Sequence, residues 1–129
     1  MLLVKTKIGP SKIHGIGLFA DEFIPKDTPT WEFTPGFDVI LTEEDVSKLP
    51  PLARGAFLHY CYKDLDWNKY ILCSDDGRFM NHADDPSTGY IPAISEWDIA
   101  LRDIQLGEEL TYNYIKEDGD YKRKFKVID

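Results

Sequence analysis

The feature that most constrains this chain is that its apolar runs are short, numerous and repeatedly interrupted by Gly, Pro and Asp, with one brief stretch of helical character among them. Residues 3–8 and 97–101 are partly alternating or β-branched runs, and residues 37–40 and 70–73 read as more fully buried strands. Helical signals are confined to the middle. Thr42 can cap a turn opened by Glu43, Glu44 and Asp45, and Pro51 can take the first position of a helix running from Leu52 to Tyr60. Many short strands around one helical insert predict a mostly β, α+β domain. They argue against a parallel α/β sheet and, with it, a Rossmann-type nucleotide site.

At 129 residues there is room for one hydrophobic core, so any site is built within a single fold. The 43% hydrophobic content lets that core form without disulfide or metal staples. Fifteen Lys and Arg against 23 Asp and Glu give a net charge of −8, a field that repels polyanions and suits a basic peptide, although an acidic surface also serves solubility. Direct nucleic-acid binding is therefore not expected. Lys5 and Lys7 break the first apolar stretch, which leaves no signal peptide or membrane span and predicts a cytoplasmic protein without membrane attachment. Cys61 and Cys73 lack CxxC spacing and are expected to be buried thiols. The chain reads as one domain over residues 1–114 with a charged tail over 115–129. Its oligomeric state is not encoded in any visible pattern.

Three local patterns carry chemistry. The first, His14-Gly15-Ile16-Gly17-Leu18-Phe19-Ala20, sets a GxG after the opening strand and ahead of an apolar one. Glycine lacks Cβ, so a ligand can approach its backbone closely and the loop can reach positive φ. The same pair also serves as an ordinary strand-joining turn, and the GxxxxGK[ST] of a P-loop is absent. In the second, residues 76–87, apolar Phe79 and Met80 lead Asn81 and His82 toward the interior. Asn offers two donors and an acceptor, which suits an amino-acid moiety; an Asn-His ahead of Asp-Asp-Pro also makes a hydrogen-bonded turn. In the third, residues 106–114, a glycine turn enters a strand that sets Tyr112 and Tyr114 on one face. Such a pair forms either a polar-tipped aromatic wall or a cross-strand core contact.

Taken together and in this order, the GxG of Gly15-Ile16-Gly17, the RFxNHxxxP from Arg78 to Pro86 and the GEELTYxY from Gly107 to Tyr114 resemble the SET-domain lysine methyltransferases, over residues 4–114. Pro50-Pro51-Leu52 and Trp31-Glu32-Phe33 are most similar to the small stand-alone bacterial members. The resemblance implies short β-sheets with a C-terminal pseudoknot, in which the last segment threads beneath a preceding loop and brings Asn81, His82 and Tyr114 together. It implies S-adenosylmethionine as cofactor, and a lysine-containing protein or basic peptide as substrate. Gly15, Ile16 and Gly17 resemble the loop that holds the methionine part of that cofactor. Arg78, Phe79, Asn81 and His82, the last through its backbone, resemble the segment that holds its amino group and adenine. Tyr114 is implied beside the methyl and the amine, contacting the cofactor and acting in catalysis. Tyr112 is implied in the lysine channel, and Tyr112 or Tyr90 in limiting how many methyls fit, with plain packing as the alternative for both.

In-line displacement from a sulfonium needs neither a metal nor a covalent intermediate. No GxSxG is present, and His14, His59 and His82 lack ligand spacing, so no metal site is expected. The chain departs from the family where Ala83-Asp84 replaces Ser-Cys, where Ser87 replaces Asn, and where no cysteine cluster follows Tyr114 to bind a zinc flap. The tail, with Tyr121 and Phe125 four apart amid Lys122, Arg123, Lys124 and Lys126, is expected either to fold over the cofactor or to stay a solvated terminus. Two other functions stay open at this point: a catalytically silent SET-like module that binds a peptide or cofactor, and a β-rich interaction domain.

Overall fold

The computed structural model describes residues 1–126. Along the chain run β1 (Thr6–Pro10), β2 (Ile16–Ala20), β3 (Val39–Leu41), α1 (Glu43–Ser47), α2 (Pro51–Tyr60), β4 (Tyr62–Asp64), β5 (Lys69–Leu72), a 3-10 turn (Asp76–Phe79), β6 (Asn81–His82), β7 (Thr88–Gly89), β8 (Ile99–Ala100), β9 (Glu109–Tyr112), α3 (Tyr114–Glu117) and α4 (Tyr121–Lys124). The strands form a sheet ordered β1-β2-β9-β6, a second ordered β3-β5-β4, and a β7-β8 pair. This is the mostly β, α+β architecture that the short runs predict. No helix among the described residues is long and apolar enough to cross a membrane.

Local chemistry explains the helical insert. Thr42 and Asp45 form a reciprocal capping box at the start of α1, and Pro51 stands in the first turn of α2, where its missing N–H costs nothing. Val46, Phe57, Cys61 and Tyr70 bury together and anchor the insert on β5. A second cluster of Leu18, Ala20, Ile24, Met80, Ala100, Ile104 and Leu110 packs the four-stranded sheet, and Trp31, Ile71 and Cys73 form a third. Both cysteines are free and buried, and burial pushes the Cys61 thiol up to about 11 and the Cys73 thiol up to about 12.

Three expectations need correction. The opening strand is displaced to Thr6–Pro10, because pairing continues to the hairpin end, with Gly9 opposite Gly17 and Pro10 opposite Ile16. The apolar run at 37–40 is not buried. Phe37 lies in a turn and is 42% exposed, Val39 is 39% exposed, and Asp38 is the residue that goes inside. Its carboxylate accepts the Met1 amino group at 2.8 Å, the Thr34 N–H at 2.9 Å and the Ser74 N–H at 3.2 Å, which satisfies a charge that would otherwise be costly to bury. Finally, helix is not confined to the middle. Asn113 ends the last strand by capping α3, its side-chain oxygen accepting the N–H groups of Ile115 and Lys116 at 3.0 and 3.2 Å.

The pseudoknot is visible in the partners of β9. One edge pairs antiparallel with β2 and the other pairs parallel with β6, Asn81 opposite Thr111 and His82 opposite Tyr112. The chain leaving β6 then closes around β9. The Ala83 N–H donates to Tyr112 C=O at 3.2 Å, and Ser87, fully buried, accepts the Thr111 N–H on its hydroxyl at 3.0 Å and donates to Glu109 C=O at 3.1 Å. Thr88 adds a hydroxyl bond to Thr111 C=O at 2.8 Å. Ser87, a departure from the family pattern, is thus a full hydrogen-bonding partner of the threaded strand.

Candidate active site

The GxG loop is shaped by the middle motif. Gly15 sits at φ +47°, a conformation that L side chains rarely adopt, and the Asn81 amide closes the loop by donating to His14 C=O at 3.0 Å and Ile16 C=O at 3.3 Å. Gly17 has no room for a side chain, because a Cβ there would stand 1.9 Å from Glu109 Oε1. That carboxylate also lies 3.4 Å from the Asn81 amide. Strands β2, β6 and β9 therefore deliver one connected polar arrangement from three distant stretches of sequence.

Tyr114 is fixed at both ends. Its backbone N–H donates to His82 Nδ1 at 3.0 Å, and its hydroxyl donates to Met80 C=O at 2.5 Å. Because Nδ1 accepts, the imidazole proton resides on Nε2, which donates to Asp84 Oδ1 at 2.9 Å. The His82 side chain is thus a positioning element in its own right, beyond the backbone part that the motif suggests. Tyr112 stacks obliquely on Tyr114 at 4.6 Å between ring centres. Burial holds both phenols above their ordinary range. For Tyr114 the Asp118 and Glu109 carboxylates add to it; for Tyr112 the neighbouring Tyr114 and Asp118 do. Both hydroxyls therefore remain neutral near pH 7.

These groups line one cavity of about 1000 Å³, which also takes in Ile16, Arg78, Phe79, Asn81, His82 and, at its exposed margin, Tyr90. Gly17 stands behind the lining, against Glu109. Arg78 donates from Nε to Cys73 C=O at 3.2 Å and lies over the Tyr60 ring, which meets Phe79 edge-on at 5.6 Å. A further wall is aromatic, where Trp31 makes edge contacts with Tyr62 and Trp97, and Trp97 with Trp67. Asp98 and Glu117 also line the cavity. Desolvation holds both above the usual carboxylate range, and the Asp98 charge adds to the effect on Glu117. The tail reaches the same place. Phe125 packs against His82 at 5.0 Å and Tyr114 at 5.8 Å, and Lys124 pairs with buried Asp118 at 2.7 Å while lying over the Tyr114 ring.

The sequence model of the SET domain matches residues 15–115, which spans the glycine loop, the Asn81-His82 pair and Tyr114. The chain belongs to the SET-domain family. It is 30% identical over 123 residues to an H3 lysine-36 specific histone-lysine N-methyltransferase of Mycosarcoma maydis, and 34% identical over 116 residues to an H3 lysine-4 specific one of Chaetomium globosum. These alignments cover 86% and 84% of this chain but only 12% and 11% of the relatives, so the SET domain matches a small part of much longer proteins. Among solved structures, a Plasmodium falciparum protein described as a histone methyltransferase superposes with a TM-score of 0.57 at 26% identity, covering 88% of this chain and 95% of that one. The apo Polycomb Repressive Complex 2 of Chaetomium thermophilum gives 0.64 at 26% identity, covering 95% and 16%.

Reading the sequence as a SET domain finds the residues carried by motifs and misses those carried by the fold. Tyr60, Tyr62, Trp31, Trp97, Asp98 and Glu117 all line the cavity, yet none belongs to the three motifs. Only the position of Tyr62 in a short strand after the helical insert hints at a role, and a lone Tyr in a strand is common.

Proposed function

We propose that this SET domain is a protein-lysine N-methyltransferase that uses S-adenosylmethionine, with the fixed Tyr114 hydroxyl at the point of transfer. The observation that carries the reading is the convergence of Tyr114, its Met80 and His82 partners and the Asn81-clamped glycine loop on one cavity. The histone-lysine activities named for the relatives support it.

The donor set fits that cofactor. The open, positive-φ turn at Gly15 lets backbone carbonyls approach a charged amino-acid moiety, and the Tyr60, Phe79 and Arg78 wall offers aromatic and guanidinium faces to an adenine. When bound, the cofactor supplies a sulfonium methyl that a neutral amine takes by in-line displacement. The chain's own part is to hold and dry the reacting groups. A free lysine has a pKa near 10.4, so presenting its neutral amine at pH 7 costs roughly 4–5 kcal/mol unless the site lowers that value. A desolvating aromatic channel past Tyr112 and Tyr62 lowers it. Tyr114, kept neutral by burial, positions rather than deprotonates. Tyr90, at the margin, and Tyr112 are the candidates for limiting the number of methyls. The tail, through Phe125 on His82 and Tyr114, is proposed to close the cofactor side, the part that a zinc-bound flap would otherwise play.

Transfer of labelled methyl from S-adenosylmethionine to lysine-rich protein, with sites mapped by mass spectrometry, tests the reading. Tyr114→Phe is expected to keep the fold and cofactor binding and to lose most turnover. Cofactor binding without any transfer would instead favour a silent binding module.

A further inference from the structure

The methyltransferase reading, on which this inference rests, leaves the buried Asp118 carboxylate unused. Asp118 follows α3, and its N–H donates back to Tyr114 C=O at 2.9 Å. Its side chain is fully buried. Oδ1 accepts the Lys63 N–H at 3.0 Å and the Asp120 N–H at 2.8 Å, and the Gly119 N–H donates to Lys63 C=O at 2.9 Å. The chain after α3 therefore lies along the edge of β4 that β5 leaves open. Oδ2 meets no donor among the described residues other than the Lys124 ammonium, 2.7 Å away. That ammonium stands 5.0 Å from the centre of the Tyr114 ring, on the wall of the cavity.

Each member of this ion pair depends on the other. A fully buried carboxylate is costly to keep once its cation is removed, and a shielded ammonium needs an anion beside it, to which the ring face adds. What the two hold in common is the tail. Arg123, one residue before Lys124, donates to Leu58 C=O at 2.6 Å, and Phe125, one residue after it, packs against His82 and Tyr114.

We infer that Asp118 and Lys124 are positioning residues for methyl transfer, their ion pair joining β4 to the tail and seating the tail on Tyr114. Asp118 bonds to the backbone of both Tyr114 and Lys63, and so fixes Tyr114 relative to Tyr62, the residue before Lys63 on the cavity wall. Lys124 holds the ring face of Tyr114 and carries Phe125 onto His82. Both act through Tyr114 and not on the methyl or the amine.

The test uses the full chain, first without cofactor. Hydrogen exchange followed by NMR reads the Lys63 and Gly119 amides, which the docked tail protects, against the Ala20 amide, bonded to Glu108 C=O in the main sheet. Lys124→Met removes the charge and is expected to lower protection of Lys63 and Gly119 about tenfold while leaving Ala20 unchanged. Lys124→Arg should restore it. Adding Asp118→Asn to Lys124→Met is expected to recover part of the loss, because the uncompensated buried charge goes with it. At saturating S-adenosylmethionine, kcat for a lysine peptide is expected to fall about tenfold in Lys124→Met, with KM for the peptide little changed, and to return in Lys124→Arg. Should Lys124→Met fail to fold, the double variant, free of the buried charge, carries the same measurements. Wild-type protection of Lys63 and Gly119 in folded Lys124→Met would overturn the inference, as would lost protection with unchanged kcat. No transfer by wild type, with exchange responding as expected, would sink the methyltransferase reading and leave the joint between β4 and the tail standing. Transfer by Lys124→Met at the wild-type rate would do the reverse.

Discussion

His82 Nδ1 accepts the backbone N–H of Tyr114 at 3.0 Å, so the end of the middle motif holds the residue that closes the last one. This bond crosses the parallel β6–β9 pairing, and it forms only when Nδ1 is unprotonated. His82→Phe keeps the ring contacts with Tyr114 and Phe125 but leaves that N–H without an acceptor. The expected loss of stability is about 1–3 kcal/mol, the cost of an orphaned buried donor. Urea unfolding measures it. If His82 positions Tyr114, kcat falls while the cofactor Kd barely moves; equal losses in both would make His82 part of the cofactor site instead.

The Asn81 amide bridges two carbonyls of the glycine loop at 3.0 and 3.3 Å and sits 3.4 Å from a Glu109 oxygen. Asn81→Asp replaces this donor with a carboxylate that faces two carbonyls and a like charge. It should therefore cost more than Asn81→Ala, which is expected to lose roughly 1–3 kcal/mol and to weaken cofactor binding. Calorimetry with S-adenosylmethionine distinguishes the two. An Asp variant as tight as wild type would remove the loop clamp from the site.

Gly17 and Glu109 compete for one volume, since a Cβ on Gly17 would meet Glu109 Oε1 at 1.9 Å and Ser11 Cβ at 3.0 Å. Gly17→Ala is expected to destabilise by about 1–3 kcal/mol through overpacking. Because the first obstacle is the end of a flexible side chain, adding Glu109→Ala should recover much of that loss. A double-mutant cycle in thermal unfolding reads the coupling. Additive effects would mean that the strand backbone, not Glu109, resists the new methyl.

How much of this was legible in the sequence follows the range of each interaction. The capping box of Thr42 and Asp45, the Pro51 start of α2 and the apolar strand after Gly17 rest on neighbours in sequence, and all are found. The three motifs pointed to the glycine loop, Asn81, His82 and Tyr114 because family resemblance stands in for long-range contact. Asp38 was misread because its three donors come from Met1, Thr34 and Ser74, remote partners that turn a strand-like run inside out. Tyr62 carried no more than a positional hint, and Asp98 and Glu117 had no signal at all. They meet only once β4, the approach to β8 and α3 are packed, and no local pattern encodes that meeting.

The carboxyls of Asp98 and Glu117 make stability depend on pH. Both carboxyls lie above the usual carboxylate range, chiefly through burial, and for Glu117 also through the Asp98 charge. The folded state therefore binds more protons than the unfolded chain, whose carboxyls ionise near pH 4. The contribution of the pair is fully present below that unfolded value and is lost as pH rises through neutrality into the folded range. The net charge of −8 acts in the same direction, so wild type alone cannot separate the two. The comparison is with Asp98→Asn/Glu117→Gln, which keeps the shape and removes the titration. Urea midpoints taken from pH 5 to 9 should fall more steeply for wild type than for the double variant. Parallel curves would mean that the pair ionises as readily in the folded protein as in the unfolded chain.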